Sequence, residues 1–419
     1  MWKAWSPERS NNPQKEHAPM NSRERFLSVI ENKPVDYIPC SFMLFFNLYN
    51  TCKSELEYIS REVEMGLDAH VHVGHLNHTM HMTGTLHPDA KYSAWTEVND
   101  GVKYFCRRID TPKGPLTSRI KQWEGWPTED DFPIFKDWLI PRAQEFLVKP
   151  EQDLEKLPYI FGPFKDSDIE KLREEAREAQ KIADQYHLIQ VGGWKGNIDP
   201  TLQVDPGVMG CDAMAWLSGY EKIMELSILQ PELIKEYAAI ISAWNQKQIE
   251  IYLDVTAADI LVRRGWYETT EFWTPKAFRT IIAPTLKKEA ELIHQAGKKY
   301  AYIITSAFMP VLDDILDSGI DILIGVDPKE GKGTDLRKVK EKFKAKNKCL
   351  WGGVSGAVTV EQGSEDETEA AVLEALHVLG EGGGFILSPV DNVREDTPNA
   401  WENTQKFIDT WKKHRQDFL

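Results

Sequence analysis

The sequence predicts an α/β chain closed into a (β/α)₈ TIM barrel. Eight short β-branched or aliphatic runs recur along it, and most end in Gly, Asp, Arg or Ser. Helical stretches of ten or more residues separate most of them, which is the crossover length that parallel strands require. No Gly-x-Gly-x-x-Gly follows the first run, and no Gly-x-x-x-x-Gly-Lys-Ser/Thr occurs anywhere. The glycine signatures of an open doubly wound sheet are therefore missing. A right-handed closed barrel is the economical arrangement.

The elements follow in order. Residues 1–20 are polar and Pro/Asn-containing and read as a flexible N-terminal arm. Residues 21–419 read as a single barrel domain with an insertion over about 88–160. Asn21 or Ser22 can cap an opening helix whose apolar stripe is Phe26, Leu27 and Ile30, and Pro34 ends it. A strand over 37–46, a helix over 54–65 closed by Gly66, and a strand over 68–73 complete the first β-α-β unit. The stretch 91–116 differs: two alternating, aromatic-rich runs flank Asn99-Asp100-Gly101, a β-hairpin signal placed as an excursion at the barrel mouth. Residues 121–156, rich in Trp, Asp and Pro, suit short helices on a long loop.

The alternation then resumes. A helix over 167–186 precedes a strand over 188–193, and helices over 212–229 and 231–254 precede a strand over 259–263. Strands over 300–304, 321–326, 348–354 and 385–387 alternate with helices over 275–296, 309–317, 335–346 and 366–380, and a last helix covers 401–414.

Composition excludes several classes. With 42% apolar and 27% charged residues the chain is ordinary globular material. Its net charge of −15 repels phosphate backbones, so nucleic acid is not an expected partner. The five cysteines are widely spaced, with no Cys-x-x-Cys, which fits a reducing cytoplasm and not a disulfide framework. No apolar run is long enough for a membrane helix, and the first residues carry no apolar signal core.

Several segments, in order, resemble the uroporphyrinogen decarboxylase superfamily, which includes corrinoid-dependent methyltransferases. They are Asn21-Ser-Arg-Glu-Arg-Phe26, Pro34-Val-Asp-Tyr-Ile-Pro39, Thr111-Pro-Lys-Gly-Pro-Leu116, Trp273-Thr-Pro-Lys-Ala-Phe278, Val326-Asp-Pro328, Trp351-Gly-Gly-Val354, Gly382-Gly-Gly-Phe-Ile-Leu-Ser-Pro389 and Pro398-Asn-Ala-Trp-Glu-Asn403. The resemblance implies a barrel with its active site at the C-terminal strand ends. It also implies one of two chemistries, cofactor-free decarboxylation or methyl transfer among small substrates, thiols and corrinoid proteins.

The family's decarboxylases use an Arg-rich first loop for substrate carboxylates and an Asp after the second strand. Here those places hold Phe45-Phe46-Asn47 and Val73-Gly74-His75, and Asp391 stands where the family has a late His. A polycarboxylate needs several Arg or Lys forks, so uroporphyrinogen itself is not expected. The family's zinc methyltransferases use His-x-Cys after the fifth strand and a Cys after the eighth. The resemblance puts Ile303, Thr305 and Asp391 there, so that thiol-activating zinc site is not expected. A divergent metal site of His75 with Glu268 or Asp391 is an alternative, as is acid/base work by His75.

Arg263 and Arg264 end the fourth strand on opposite faces; one can face the mouth and hold an anion, or both can pair with neighbouring acids. Asp327 ends the sixth strand, where catalysis and capping of the next turn are both open. Asp391 is a general-acid candidate. Trp194, Trp266, Phe45 and Phe46, all at strand ends, can line an aromatic pocket. The expectation is demethylation of a small methoxylated or methylated substrate, aromatic compounds among the candidates, with the methyl group passed to a corrinoid (cobalamin) on a partner protein. The alternatives are a cofactor-free decarboxylase of a smaller acid and a non-catalytic barrel that binds a tetrapyrrole or corrinoid.

Overall fold

The computed structural model describes residues 19–74, 76, 86–126, 132–194 and 207–419. Nearly all of the arm expected over 1–20 lies outside them. The strands are β1 (His70–His72), β2 (Lys91–Asn99), β3 (Val102–Thr111), β4 (Gly114–Lys121), β5 (Ala143–Glu145), β6 (Ile189–Gly192), β7 (Val208–Met209), β8 (Ile260–Arg264), β9 (Lys299–Ile303), β10 (Ile322–Val326), β11 (Cys349–Ser355) and β12 (Phe385–Val390).

A parallel sheet runs in the order β1-β6-β8-β9-β10-β11-β12, with β7 set against the end of β8. The segment around Cys40 closes it. Cys40 bridges in parallel to Leu387, where Ser41 N–H donates to the Leu387 carbonyl (3.0 Å) and Leu387 N–H donates to the Pro39 carbonyl (2.9 Å). On its other side Asp68 N–H, just ahead of β1, donates to the Cys40 carbonyl (2.8 Å). This eighth stave makes the sheet a ring. The strand expected over 37–46 is therefore only a bridge, because Pro39 lacks an N–H for the ladder and Phe46 already begins a short helix, Phe46–Tyr49.

Side chains alternate across the barrel wall. Ile189, Val191, Ile260, Val262, Ala301, Ile303, Ile322, Ile324, Cys349, Trp351 and Ile386 fill the interior. Leu261, Tyr300, Tyr302, Leu323, Leu350 and Leu387 belong to the layer between wall and helices. The opening helix, Ser22–Ile30, begins with a capping box between Asn21 and Glu24. Its Phe26, Val29 and Ile30 join the interior cluster and seal the end where the strands start. Arg23 holds Asp259 (2.5 Å), and buried Arg25 pairs with Asp36 and Asp68 (2.6 Å each).

The second sheet is antiparallel, in the order β2-β3-β4-β5. Its first turn uses Asp100 (φ 50°) and Gly101 (φ 77°), the two positive-φ residues that a two-residue hairpin loop of this kind demands. Phe105, Ile109, Leu116 and Ile120 bury its inner face. One expected helix, over 212–229, is two, Asp212–Ser218 and Tyr220–Leu229. Gly219 between them has φ 75°, and the Phe146 ring occupies the space where a Cβ would lie. Among the described residues no helix is long and apolar enough to cross a membrane.

One buried acid in the helix Glu55–Glu64 gives a pH-dependent stability. Glu62 is 1% exposed; Tyr58 Oη donates to its Oε1 (3.0 Å), and its Oε2 has no partner among the described residues. Burial pushes the carboxyl up to about 8, against the opposing Tyr58 hydrogen bond. The folded state keeps this proton while the unfolded chain gives it up above roughly pH 4.3. The stabilisation is complete below that pH and is lost as pH rises toward 8. Glu62→Gln is expected to flatten this slope and to leave the protein more stable than wild type at pH 8. Urea midpoints between pH 5 and 8 check it, and parallel curves for the two proteins would refute it.

Candidate active site at the barrel mouth

The two arginines of β8 separate by the same alternation. Arg264 shares the inward face of Val262, and Arg263 shares the outward face of Leu261. Arg263 donates to Glu289 on the helix Ala283–Gln295 (3.0 Å), to Thr285 (2.9 Å) and to Glu268 (2.5 Å). Glu268 is fully buried and also accepts from Tyr302 Oη (2.7 Å) and the Cys211 amide (2.9 Å). Tyr300 Oη donates to Glu289 (2.5 Å). The structure thus places Arg263 and Glu268 behind the barrel wall, in a buried ionic network. Gly210 and Gly265 leave the room that Glu268 occupies, since a Cβ at either would collide with its carboxylate.

Arg264 sits at the mouth. Its guanidinium lies between the rings of Trp216 (4.5 Å) and Trp266 (4.7 Å), an arrangement that suits a delocalised cation. It donates to buried Asp212 (2.6 Å) and reaches Asp137 (3.5 Å). Trp266 packs edge-on against Trp194 (5.4 Å between centroids), whose buried indole N–H has no partner among the described residues. Asp137, from the long insertion, and Trp216 had no signal in the sequence, because nothing local marks residues recruited from so far away.

Trp194 leads to β1. Its carbonyl lies 3.1 Å from His72 Nδ1, and a carbonyl only accepts, so that nitrogen carries the proton. His70 Nδ1 lies 3.0 Å from Ser41 Oγ, and the Ser41 carbonyl accepts from Trp351 Nε1 (2.9 Å). Burial, reinforced by neighbouring His72, holds His70 well below the usual histidine range, so it is neutral. Both imidazoles line a small pocket with Met43, Leu44, Phe45, Phe46 and Tyr49. Phe45 is almost fully buried and also packs on Phe42 and Trp401, and Phe46 is half-buried. His75 lies outside the described residues.

On the far side of the mouth Asp327 follows β10. It is buried, and its carboxylate accepts from the amides of Lys329 (2.7 Å) and Glu330 (2.9 Å), capping the turn. Burial raises its pKa against those bonds, and the charge of Asp391 adds to the rise. Asp391, at φ 65°, turns the chain out of β12 and pairs with Arg394 (2.7 Å). The mouth thus holds two groups: Trp194, Trp266 and Arg264 with the histidine pocket, and Asp327 with Asp391.

The positions of the usual zinc ligands do not fit a zinc ion. Ile303 is apolar and buried in the barrel interior, Thr305 offers a weak hydroxyl, and Asp391 is paired with Arg394. Among the described residues no three His, Cys, Asp or Glu side chains converge as a ligand set.

The family model for uroporphyrinogen decarboxylase matches residues 155–414, well over half of the chain. The chain belongs to the uroporphyrinogen decarboxylase family. Among solved structures, a methyltransferase from Methanosarcina mazei superposes with a TM-score of 0.55 at 17% identity, covering 94% of this chain and 98% of that one. At this identity the likeness shows the fold. A 3-keto-D-glucoside 4-epimerase from E. coli gives a TM-score of 0.32 at 13% identity, over 64% of this chain and 95% of the other. No curated protein matches the chain. As a member of this family the protein is an enzyme of the methyltransferase-like or decarboxylase-like kind.

Proposed function

We propose that the protein is a methyl-transfer enzyme that demethylates a small methoxylated or methylated aromatic substrate, with a corrinoid protein receiving the methyl group. The observation that carries this reading is the lining of the mouth. Phe45, Phe46, Trp194 and Trp266 offer ring faces and edges, His70 is neutral, and both strand-end arginines already have carboxylate partners. Such a lining favours a flat, weakly charged molecule over a substrate with many carboxylates. The Methanosarcina protein of the same fold carries the name methyltransferase.

In this reading the aromatic side chains hold the ring, and Arg264, kept in place by Trp216, Trp266 and Asp212, stiffens the mouth beside them. Cleaving a methyl–oxygen or methyl–nitrogen bond leaves charge on the heteroatom, which needs a proton or a positive field. Asp391 or His75 is proposed to assist there. Asp327 positions the turn beside Asp391. The corrinoid, carried by its own protein, supplies a nucleophilic cobalt for the methyl group.

The purified protein, mixed with methoxyarenes or methylamines and a cob(I)alamin carrier, is expected to convert the corrinoid to its methylated form, read by its absorbance. Carbon dioxide release from a small acid without corrinoid would replace this reading with decarboxylation. Tight tetrapyrrole binding without turnover, unchanged in Asp391→Asn, would replace it with a binding role.

A further inference from the structure

We propose that Asp137 is a positioning residue for the aromatic side of the mouth, a carboxylate supplied by the insertion that fixes Trp216, Arg264 and Tyr267 and, through them, Trp266. Its kinetic consequence rests on the methyl-transfer reading; its structural consequence does not. Asp137 opens the short turn Asp137–Arg142. Its Oδ1 accepts from Tyr267 Oη (2.6 Å) and from Trp216 Nε1 (2.9 Å), and Arg264 Nη2 lies at 3.5 Å. These donors come from three parts of the barrel: the loop after β8, the helix Asp212–Ser218 and the end of β8 itself.

The barrel alone holds each donor only in part. Asp212 takes Arg264 Nε (2.6 Å), and Asp137 takes the other end of the guanidinium. The backbone of Tyr267 is fixed twice, its amide donating to Asp212 (2.9 Å) and its carbonyl accepting from Trp273 Nε1 (2.9 Å). Its hydroxyl, at the far end of the ring, goes to Asp137. A guanidinium, a phenol and an indole that share one oxygen cannot turn independently. Trp266 depends on this unit, because its ring lies on Arg264 (4.7 Å) on one side and meets Trp194 (5.4 Å) on another. Holding such rings in one geometry before a ligand arrives lowers the cost of binding it.

The two acids that hold Arg264 differ in burial. Asp212 is fully buried, whereas the Asp137 side chain is 52% exposed. The insertion also has other anchors: Val148 N–H donates to the Leu217 carbonyl (2.9 Å), and Phe135 packs on Phe161 and on Trp216 (5.9 Å each). Removing the Asp137 carboxylate therefore loosens the rings without undocking the insertion.

The test compares the full-length wild type with Asp137→Ala and Asp137→Asn. The amide keeps an acceptor oxygen for Tyr267 and Trp216, so it is the conservative variant. In Asp137→Ala, amide hydrogen exchange over residues 211–218 and 263–270 is expected to quicken by about 10-fold while the urea midpoint stays near that of wild type. KM for a methoxyarene is expected to rise by about 10-fold with kcat little changed, the mark of lost binding and not of lost chemistry. Asp137→Asn restores most of both. Unchanged exchange in Asp137→Ala, an unchanged KM in an active enzyme, or an asparagine variant as impaired as the alanine one overturns the positioning role and leaves the proposed reaction standing. Wild-type protein that transfers no methyl group removes the reaction instead, and the exchange pattern of the three proteins then decides the role of Asp137.

Discussion

Arg263→Met is expected to lower the unfolding free energy by about 3–5 kcal/mol, the cost of removing one partner from a buried ionic network. The substitution leaves Glu268 and Glu289, both fully buried, without their shared cation. It also leaves Tyr300 and Tyr302 donating to carboxylates that have lost their counter-charge. Arg263→Lys is expected to recover only part of the loss, because one ammonium cannot reach Glu268, Glu289 and Thr285 as the guanidinium fork does. Urea unfolding of the three proteins measures the ranking. A wild-type midpoint in Arg263→Met, coupled to a raised KM, would instead assign this arginine to substrate.

Trp351→Ala is the second large effect, expected to cost about 3–5 kcal/mol as a cavity in the barrel interior. The indole is 1% exposed and packs edge-on against Phe26 from the floor helix (5.5 Å) and against His70 (5.4 Å). Its N–H satisfies the Ser41 carbonyl beside the Cys40 stave. The alanine variant therefore empties the centre, loosens ring closure and frees His70 to turn. Trp351→Phe keeps most of the volume and loses the hydrogen bond, so its loss should be clearly smaller. Equal thermal midpoints for wild type and Trp351→Ala would contradict this account of the barrel centre.

Much of the fold was legible because it depends on local pattern. Apart from the two-residue β7, which was not expected, the parallel strands from β6 onward lie within a few residues of their expected bounds, since continuous aliphatic runs between amphipathic helices have few other uses. The Asn21 capping box and the Asn99-Asp100-Gly101 turn were readable for the same reason: the deciding residues are neighbours in the chain. The first stave was less legible because Pro39 trims a ladder whose other half is Leu387, far along the sequence.

The site was legible in its materials and not in its pairings. Alternation requires Arg263 and Arg264 to diverge, but it cannot say which one looks into the barrel. That depends on Val262 belonging to the interior layer and Leu261 to the wall. Glu289 and Asp212, which neutralise the two arginines, come from helices with no sequence mark of that duty. His70 and His72 begin and end β1. They reach the pocket because the adjacent stave ends its pairing at Ser41 and turns into the short helix that starts at Phe46, leaving room above them.

The helix Ser22–Ile30 has a consequence for traffic. By plugging the foot of the barrel with Phe26, Val29 and Ile30, and by bolting itself there through Arg23 and Arg25, it makes the cavity a blind well. Traffic through the foot is thereby closed, and in the proposed reaction the small reactant and a docked acceptor protein would share the mouth.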